Sequence, residues 1–170
     1  MVNSHKRPPF WGLKLSMEDG TRVLVVEDKL DERQAILERL LHNCEVTWAS
    51  DVGSVRRAME SGGPFDAYCL DYDLDDTRGG WMEAGRIIRQ NDPRSVAKVV
   101  LVHSANTDAR AYFELFPASI FIQWDVLATI LGEGLVDNTM IDTVLADAGE
   151  DPSVDALRDA ALKYRGQSPE

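Results

Sequence analysis

Short apolar runs alternate with amphipathic stretches along the middle of the chain. Five runs rich in β-branched and other apolar residues are predicted to be strands: RVLVV, EVTWAS, FDAYCL, KVVLV and SIFIQ. A helix is predicted between the first two strands, where residues of one face recur at helical spacing: Leu30, Arg33, Ile36, Leu37, Leu40 and Leu41. Near-continuous apolar strands that alternate with helices are typical of a parallel sheet covered on both faces. The pattern therefore predicts one doubly wound α/β domain.

Local signals predict where the other helices begin and end. Asp51 is an N-cap candidate, and Gly62-Gly63-Pro64 would stop the helix that it begins. The remaining predicted helices run from Asp51 to about Glu60, through Trp81 to Ile88, from Asp108 to Leu115, and onward from near Asp125.

The two ends of the chain lack this alternation. Residues 1–20 show no lasting period and are predicted to be an N-terminal extension, so that the α/β domain spans 21–131. Residues 132–170 carry more acidic than basic side chains and are predicted to form a helical extension of two short amphipathic helices, separated by Gly149 to Pro152. Because this segment has no basic recognition helix, we expect no direct DNA binding.

Composition narrows the classes of function. The net charge of −11 over 170 residues argues against binding nucleic acid through its phosphates. No apolar run approaches the roughly 20 residues that cross a bilayer, and the first residues lack the apolar core of a secretory signal. Cys44 and Cys69 are predicted to be buried free thiols in strands, as expected in a reducing compartment. We therefore expect a cytoplasmic protein that does not contact a membrane.

Polar side chains collect where the predicted strands end. Glu27-Asp28 follow the first strand, Asp71 and Asp73 the third, and His103-Ser104 the fourth. In doubly wound sheets, ligands bind beyond the carboxyl ends of the strands. Carboxylates gathered there raise one another's pKa unless a cation lies among them, and Mg²⁺ prefers such oxygen ligands. The sequence therefore indicates a metal site at this edge.

These residues, at this spacing, resemble the receiver domain of two-component response regulators (the CheY-like superfamily). The resemblance covers about residues 21–131 and implies a flavodoxin-like sheet of five parallel strands in the order 2-1-3-4-5. It implies that Asp71 accepts a phosphoryl group and that Ser104 supplies the hydroxyl that turns toward it. The Mg²⁺ (or Mn²⁺) ligands that it implies are Glu27, Asp28, Asp71 and, through its backbone carbonyl, Asp73. A carboxylate is chemically competent as such a nucleophile.

The same resemblance implies the partners. A histidine kinase or phosphotransfer protein would phosphorylate the chain, which would signal by contact with a downstream protein; homodimerisation is left open. Two positions depart from the family. Gln123-Trp124 stand where receivers carry a Lys after the fifth strand, with no Lys or Arg nearby in sequence, and Asp75 stands where they carry a Pro. Without this Lys the phosphoryl group would lack its fixed cation, so the resemblance does not decide whether phosphorylation switches the conformation.

A second resemblance concerns the stretches CLDYDL and VLVHSAN. Together they resemble a divergent branch, the cyclic-phosphate-processing receiver-like domains. In that branch His103 would be a metal ligand or a general acid/base, since an unperturbed imidazole titrates near pH 6.5. Three functions remain open at this point: a phosphorylated receiver, a metal-dependent phosphoester-processing enzyme, and a degenerate receiver that acts as an interaction module. Whether the chain is an enzyme is open with them.

Overall fold

A computed structural model describes residues 18–74, 79–104, 112–117, 119–132 and residue 159. The five predicted strands form one sheet in the order β2-β1-β3-β4-β5, and every neighbouring pair is parallel. Their bounds are β1 Arg22–Val26, β2 Glu45–Ala49, β3 Ala67–Asp71, β4 Val99–Ser104 and β5 Ile120–Gln123. The predicted doubly wound, flavodoxin-like order is confirmed.

The helices lie between the strands, as the periodicity predicts. Their bounds are α1 Leu30–Leu40, α2 Val52–Gly62, α3 Gly80–Asn91, α4 Tyr112–Leu115 and α5 Trp124–Gly132. Helix α1 packs against α5, whereas α3 packs against both α2 and α4, so that the helices form two groups. A 3-10 turn at Pro93–Ala97 was not predicted, and Pro93 supplies the fixed φ that favours it.

The central strands form the core because they are apolar on both faces. All five residues of β3 are buried, as are four of the five in β1. The edge strand β2 has only one buried residue, Ala49. Burying a large apolar side chain contributes roughly 1.5–3 kcal/mol, so β1 and β3 stabilise the sheet from its centre.

Helix α2 begins as predicted at Asp51. The Ser54 N–H donates to Oδ1 of Asp51 at 2.6 Å, and the Asp51 N–H donates to Oγ of Ser54 at 3.0 Å. This capping box satisfies two backbone donors at the start of the helix.

Some predictions lie outside the described residues. They are the structure of the N-terminal extension up to residue 17, the first turn of the helix predicted at Asp108 to Leu115, and the two C-terminal helices; the domain bounds stay predictions. Neither Cys44 nor Cys69 is in a disulfide among the described residues. Cys69 is buried in β3 as predicted, but the prediction that Cys44 is buried in a strand was wrong: it is half-buried and directly precedes β2. Among the described residues, no helix is long and apolar enough to cross a membrane.

Candidate acidic site at the carboxyl edge of the sheet

The sheet register brings three polar side chains to one edge. Asp71, the last residue of β3, is paired with His103 of β4. Glu27 directly follows β1, and its backbone N–H donates to the Ala49 carbonyl at 2.9 Å, which extends the ladder by one residue. Because parallel strands end at the same edge of a sheet, side chains at the ends of β1, β3 and β4 meet there.

Glu27, Asp71 and His103 form a buried cluster. Each is fully buried, and one ligand atom from each lies within 4.8 Å of the other two. Nε2 of His103 lies 3.5 Å from Oε2 of Glu27. Sequence spacing predicted all three at this edge, and the structure brings them together.

Backbone donors fix the two carboxylates. The Asp73 N–H donates to Oδ1 of Asp71 at 2.8 Å, and the Lys29 N–H donates to Oε1 of Glu27 at 2.7 Å. In both cases the donor lies two residues beyond the acceptor, in the turn that leaves the strand. One oxygen of each carboxylate is therefore held by the turn that follows its own strand.

A cation that the sequence did not predict lies between them. The guanidinium of Arg33, on α1, donates through Nη1 to Oε2 of Glu27 at 3.2 Å, and the same nitrogen lies 3.5 Å from Oδ1 of Asp71. Arg33 is only 4% exposed. One feature of the sequence could have indicated this: Arg33 is a charged residue on the same helical face as Leu37 and Leu40, which is buried.

Trp124, the first residue of α5, packs against Arg33 and His103 of this site. The guanidinium carbon of Arg33 lies 4.6 Å from the centre of the Trp124 ring. The ring of His103 lies 5.3 Å from it, tilted by 57°. The sequence has no Lys or Arg next to the end of β5, but in the fold Arg33 of α1 lies beside Trp124, the first residue after β5.

Burial is the largest cause of the pKa shifts of Glu27, Asp71 and His103. Burial, and then the charge of Glu27, raise the pKa of Asp71 to about 8. The pKa of Glu27 is also raised by burial, although the Lys29 N–H and Arg33 oppose this. Burial and then Arg33 lower the pKa of His103 to about 3, so its imidazole is neutral at physiological pH. A cation bound among these carboxyl groups would favour their charged forms and lower both raised pKa values.

The other predicted site residues lie less centrally. Asp28 is exposed, and the cluster found among the described residues does not include it. Asp73 is half-buried and contributes the N–H already described. Ser104 is the last residue of β4 and is paired with Gln123. The roles of all three in metal or phosphoryl binding stay predictions. Asp75, Asp76 and Asn106 lie outside the described residues.

The cluster suits a divalent metal ion. Both ring nitrogens of His103 are buried and have no hydrogen-bond partner in the part of the chain that the structure describes. A neutral imidazole nitrogen beside two carboxylates is a common donor set for divalent ions. The residues present therefore fit a metal, with the imidazole nitrogen that the second resemblance implies in addition to the carboxylate oxygens.

Comparisons with known proteins agree with this fold. No protein-family model and no curated protein sequence matches the chain. A solved structure of a two-component response regulator of the LuxR family from Aurantimonas sp. SI85-9A1 superposes with a TM-score of 0.52 at 21% identity, covering 87% of this chain and 99% of that one. The response regulator protein TrrA from Thermotoga maritima, in complex with Mg(2+)-BeF, superposes with a TM-score of 0.50 at 19% identity, covering 68% and 96%.

The chain therefore has the fold of response-regulator receiver (CheY-like) domains. This confirms the predicted receiver-like fold. The resemblance to the cyclic-phosphate-processing branch stays a prediction.

Proposed function

We propose that the chain is a receiver-like signalling protein in which Asp71 accepts a phosphoryl group in a metal-dependent reaction. The observation that carries this proposal is the convergence of Glu27 and Asp71 at the carboxyl edge of a receiver fold, with Asp71 held by the Asp73 N–H. The site lies where doubly wound sheets bind their ligands.

The chemistry asked of Asp71 is a group transfer. A carboxylate oxygen of Asp71 attacks the phosphorus of a phosphohistidine on a kinase or phosphotransfer protein. A bond forms between that oxygen and phosphorus, the bond from phosphorus to the histidine nitrogen breaks, and the histidine leaves after taking up a proton. Such a reaction depends on orienting the nucleophile and offsetting the charge of the phosphoryl oxygens.

The residues that would hold the metal are Glu27, Asp71 and His103, with Asp28 and the Asp73 carbonyl as the further ligands that the family resemblance implies. A bound Mg²⁺ or Mn²⁺ supplies positive charge beside the phosphoryl oxygens. Arg33 places another cation beside Trp124, the residue that follows the fifth strand, after which receivers carry a Lys. Ser104 would provide the hydroxyl that contacts the phosphoryl group.

The output is contact with a downstream protein. The sequence after α5 carries more acidic than basic residues, so we propose no direct binding to DNA. A kinase or phosphotransfer protein is the partner on the input side. Homodimerisation remains an alternative form of output.

Intact mass measured after incubation with Mg²⁺ and a small-molecule phosphoryl donor tests this function. We expect a labile adduct of one phosphoryl group that Asp71→Asn abolishes and Asp76→Asn leaves nearly unchanged. The second variant removes the same charge from a residue of the same acidic run, Asp71 to Asp76, so it controls for a general electrostatic effect. No adduct on folded wild-type protein, with Mg²⁺ bound, would contradict the proposal.

A second function is favoured by His103. An acceptor site of carboxylates requires no imidazole, yet His103 lies buried beside Glu27 with a neutral ring. A neutral imidazole next to a metal is suited to moving a proton during phosphoester hydrolysis. The alternative is therefore a metal-dependent enzyme that opens cyclic phosphates. Hydrolysis of a nucleoside 2′,3′-cyclic phosphate that His103→Ala abolishes would favour it over the receiver function.

A further inference from the structure

The position of Arg33 has a consequence for metal binding. Its Nη1 lies 3.2 Å from an oxygen of Glu27 and 3.5 Å from an oxygen of Asp71. A divalent ion that binds the same two oxygens would have to share the space beside them with Nη1. Two positive groups this close in a buried site also repel each other strongly.

We propose that Arg33 is a tethered cation that competes with a divalent metal ion for the carboxylates of Glu27 and Asp71. With Arg33 in place the pair is partly neutralised from within the fold. When the carboxylates take a metal ion, the guanidinium leaves them. This inference rests on the metal site of the proposed function and adds that Arg33, from the same chain, weakens metal binding there.

Trp124 explains how the competition can be reversible. The guanidinium carbon lies 4.6 Å from the centre of the Trp124 ring, and the centre of the His103 ring lies 5.3 Å from that of Trp124. A planar cation on an aromatic face keeps part of its stabilisation when its ion pairs are lost. Arg33 therefore has a second contact that it can retain after displacement, close enough to return when the metal leaves.

A purely structural role for Arg33 makes a different prediction. If Arg33 only stabilised the fold, its removal would lower stability and leave metal affinity unchanged or lower. Competition predicts instead that removing Arg33 raises the affinity for the metal ion, because two cations that share one site weaken each other's binding. Couplings between two ligands are typically 5- to 150-fold in affinity.

Direct titration with Mn²⁺, followed by the electron paramagnetic resonance signal of the free ion, tests the competition. We expect Arg33→Gln to bind Mn²⁺ roughly 5- to 150-fold more tightly than wild type. The control is Arg56→Gln on α2, which removes the same charge from an exposed pair with Glu83 at 3.7 Å. The control should bind Mn²⁺ as wild type does. If Arg33→Gln binds Mn²⁺ no more tightly than wild type, or not at all, the inference is wrong.

Arg33→Lys covers the case in which Arg33→Gln does not fold. A lysine keeps the charge that offsets the buried carboxylates but lacks the planar group that lies on Trp124. We expect it to be displaced more easily, so that Mn²⁺ binds more tightly than in wild type by a smaller factor. Affinity equal to wild type in this variant would also overturn the inference.

The inference and the proposed function fail in different ways. Mn²⁺ binding is measured without any phosphoryl donor. Tighter binding by Arg33→Gln, with no adduct on Asp71, would uphold the competition and reject the phosphoryl acceptor. An adduct on wild-type Asp71, with no gain in Mn²⁺ affinity when Arg33 is replaced, would uphold the acceptor and reject the competition.

Discussion

Nε2 of His103 lies 3.5 Å from Oε2 of Glu27, and both side chains are fully buried. This relationship adds an imidazole nitrogen to a site that otherwise offers carboxylate oxygens. Nitrogen ligands favour transition metals over Mg²⁺, which prefers oxygen. The two residues together therefore bear on which metal the site selects.

His103→Ala tests that selectivity. We expect its affinity for Mn²⁺ to fall by about tenfold or more, equivalent to about 1.4 kcal/mol, and its affinity for Mg²⁺ to change less. Calorimetric titration with each ion gives both affinities. His42→Ala is the matched control, because His42 is exposed just after α1. Equal losses for the two ions in His103→Ala would show that His103 does not set the selectivity, and an unchanged Mn²⁺ affinity would show that it is not a ligand.

The sequence was sufficient for the sheet and for the residues at its edge, because both follow from short local patterns. Asp71 and His103 end apolar runs, and the parallel order of the strands then brings them side by side. Arg33 could not be predicted in the same way. Its contact with Trp124 joins α1 to the start of α5, and no local pattern links residues so far apart. The only trace was a charged residue on the buried face of α1.

Glu27 and Asp28 are expected to contribute unequally to metal binding. Glu27 is fully buried in the cluster, whereas Asp28 is exposed. We predict that Glu27→Gln weakens Mn²⁺ binding by about tenfold or more, and that Asp28→Asn weakens it less. The two substitutions remove the same charge from adjacent residues, so each is the control for the other. A larger loss in Asp28→Asn would mean that Asp28 turns into the site when the metal binds.

Asp51 is predicted to stabilise α2 through its cap. Its Oδ1 accepts from the Ser54 N–H at 2.6 Å, and Asp51→Ala removes this acceptor. We expect a loss of about 1 kcal/mol in the free energy of unfolding, measured by urea denaturation. Asp51→Asn keeps a capping oxygen and should lose only a small part of it. If both variants lose the same amount, the charge of Asp51 rather than its cap is responsible.

Asp92 joins α3 to β3 and β4 through a buried hydrogen-bond network. Its Oδ2 accepts from the hydroxyl of Tyr68 and from Nζ of Lys98, each at 2.6 Å. Burial alone would raise the pKa of Asp92, but the hydrogen bonds from Lys98 and Tyr68 outweigh it and lower the pKa below its usual 3.8. The carboxylate is therefore more acidic in the folded protein than in the unfolded chain.

A lowered pKa in the folded state ties stability to pH in one direction. The contribution of Asp92 is fully present above the unfolded pKa of about 3.9, and it is lost as the pH falls through the folded value. We predict that Asp92→Asn costs about 1–3 kcal/mol at pH 7, and that its difference from wild type shrinks below about pH 4. Thermal unfolding across that range measures this difference. Glu60→Gln, an exposed substitution on α2, should show no such convergence. A difference for Asp92→Asn that stays constant into the acid range would mean that packing, and not the carboxylate charge, makes Asp92 stabilising.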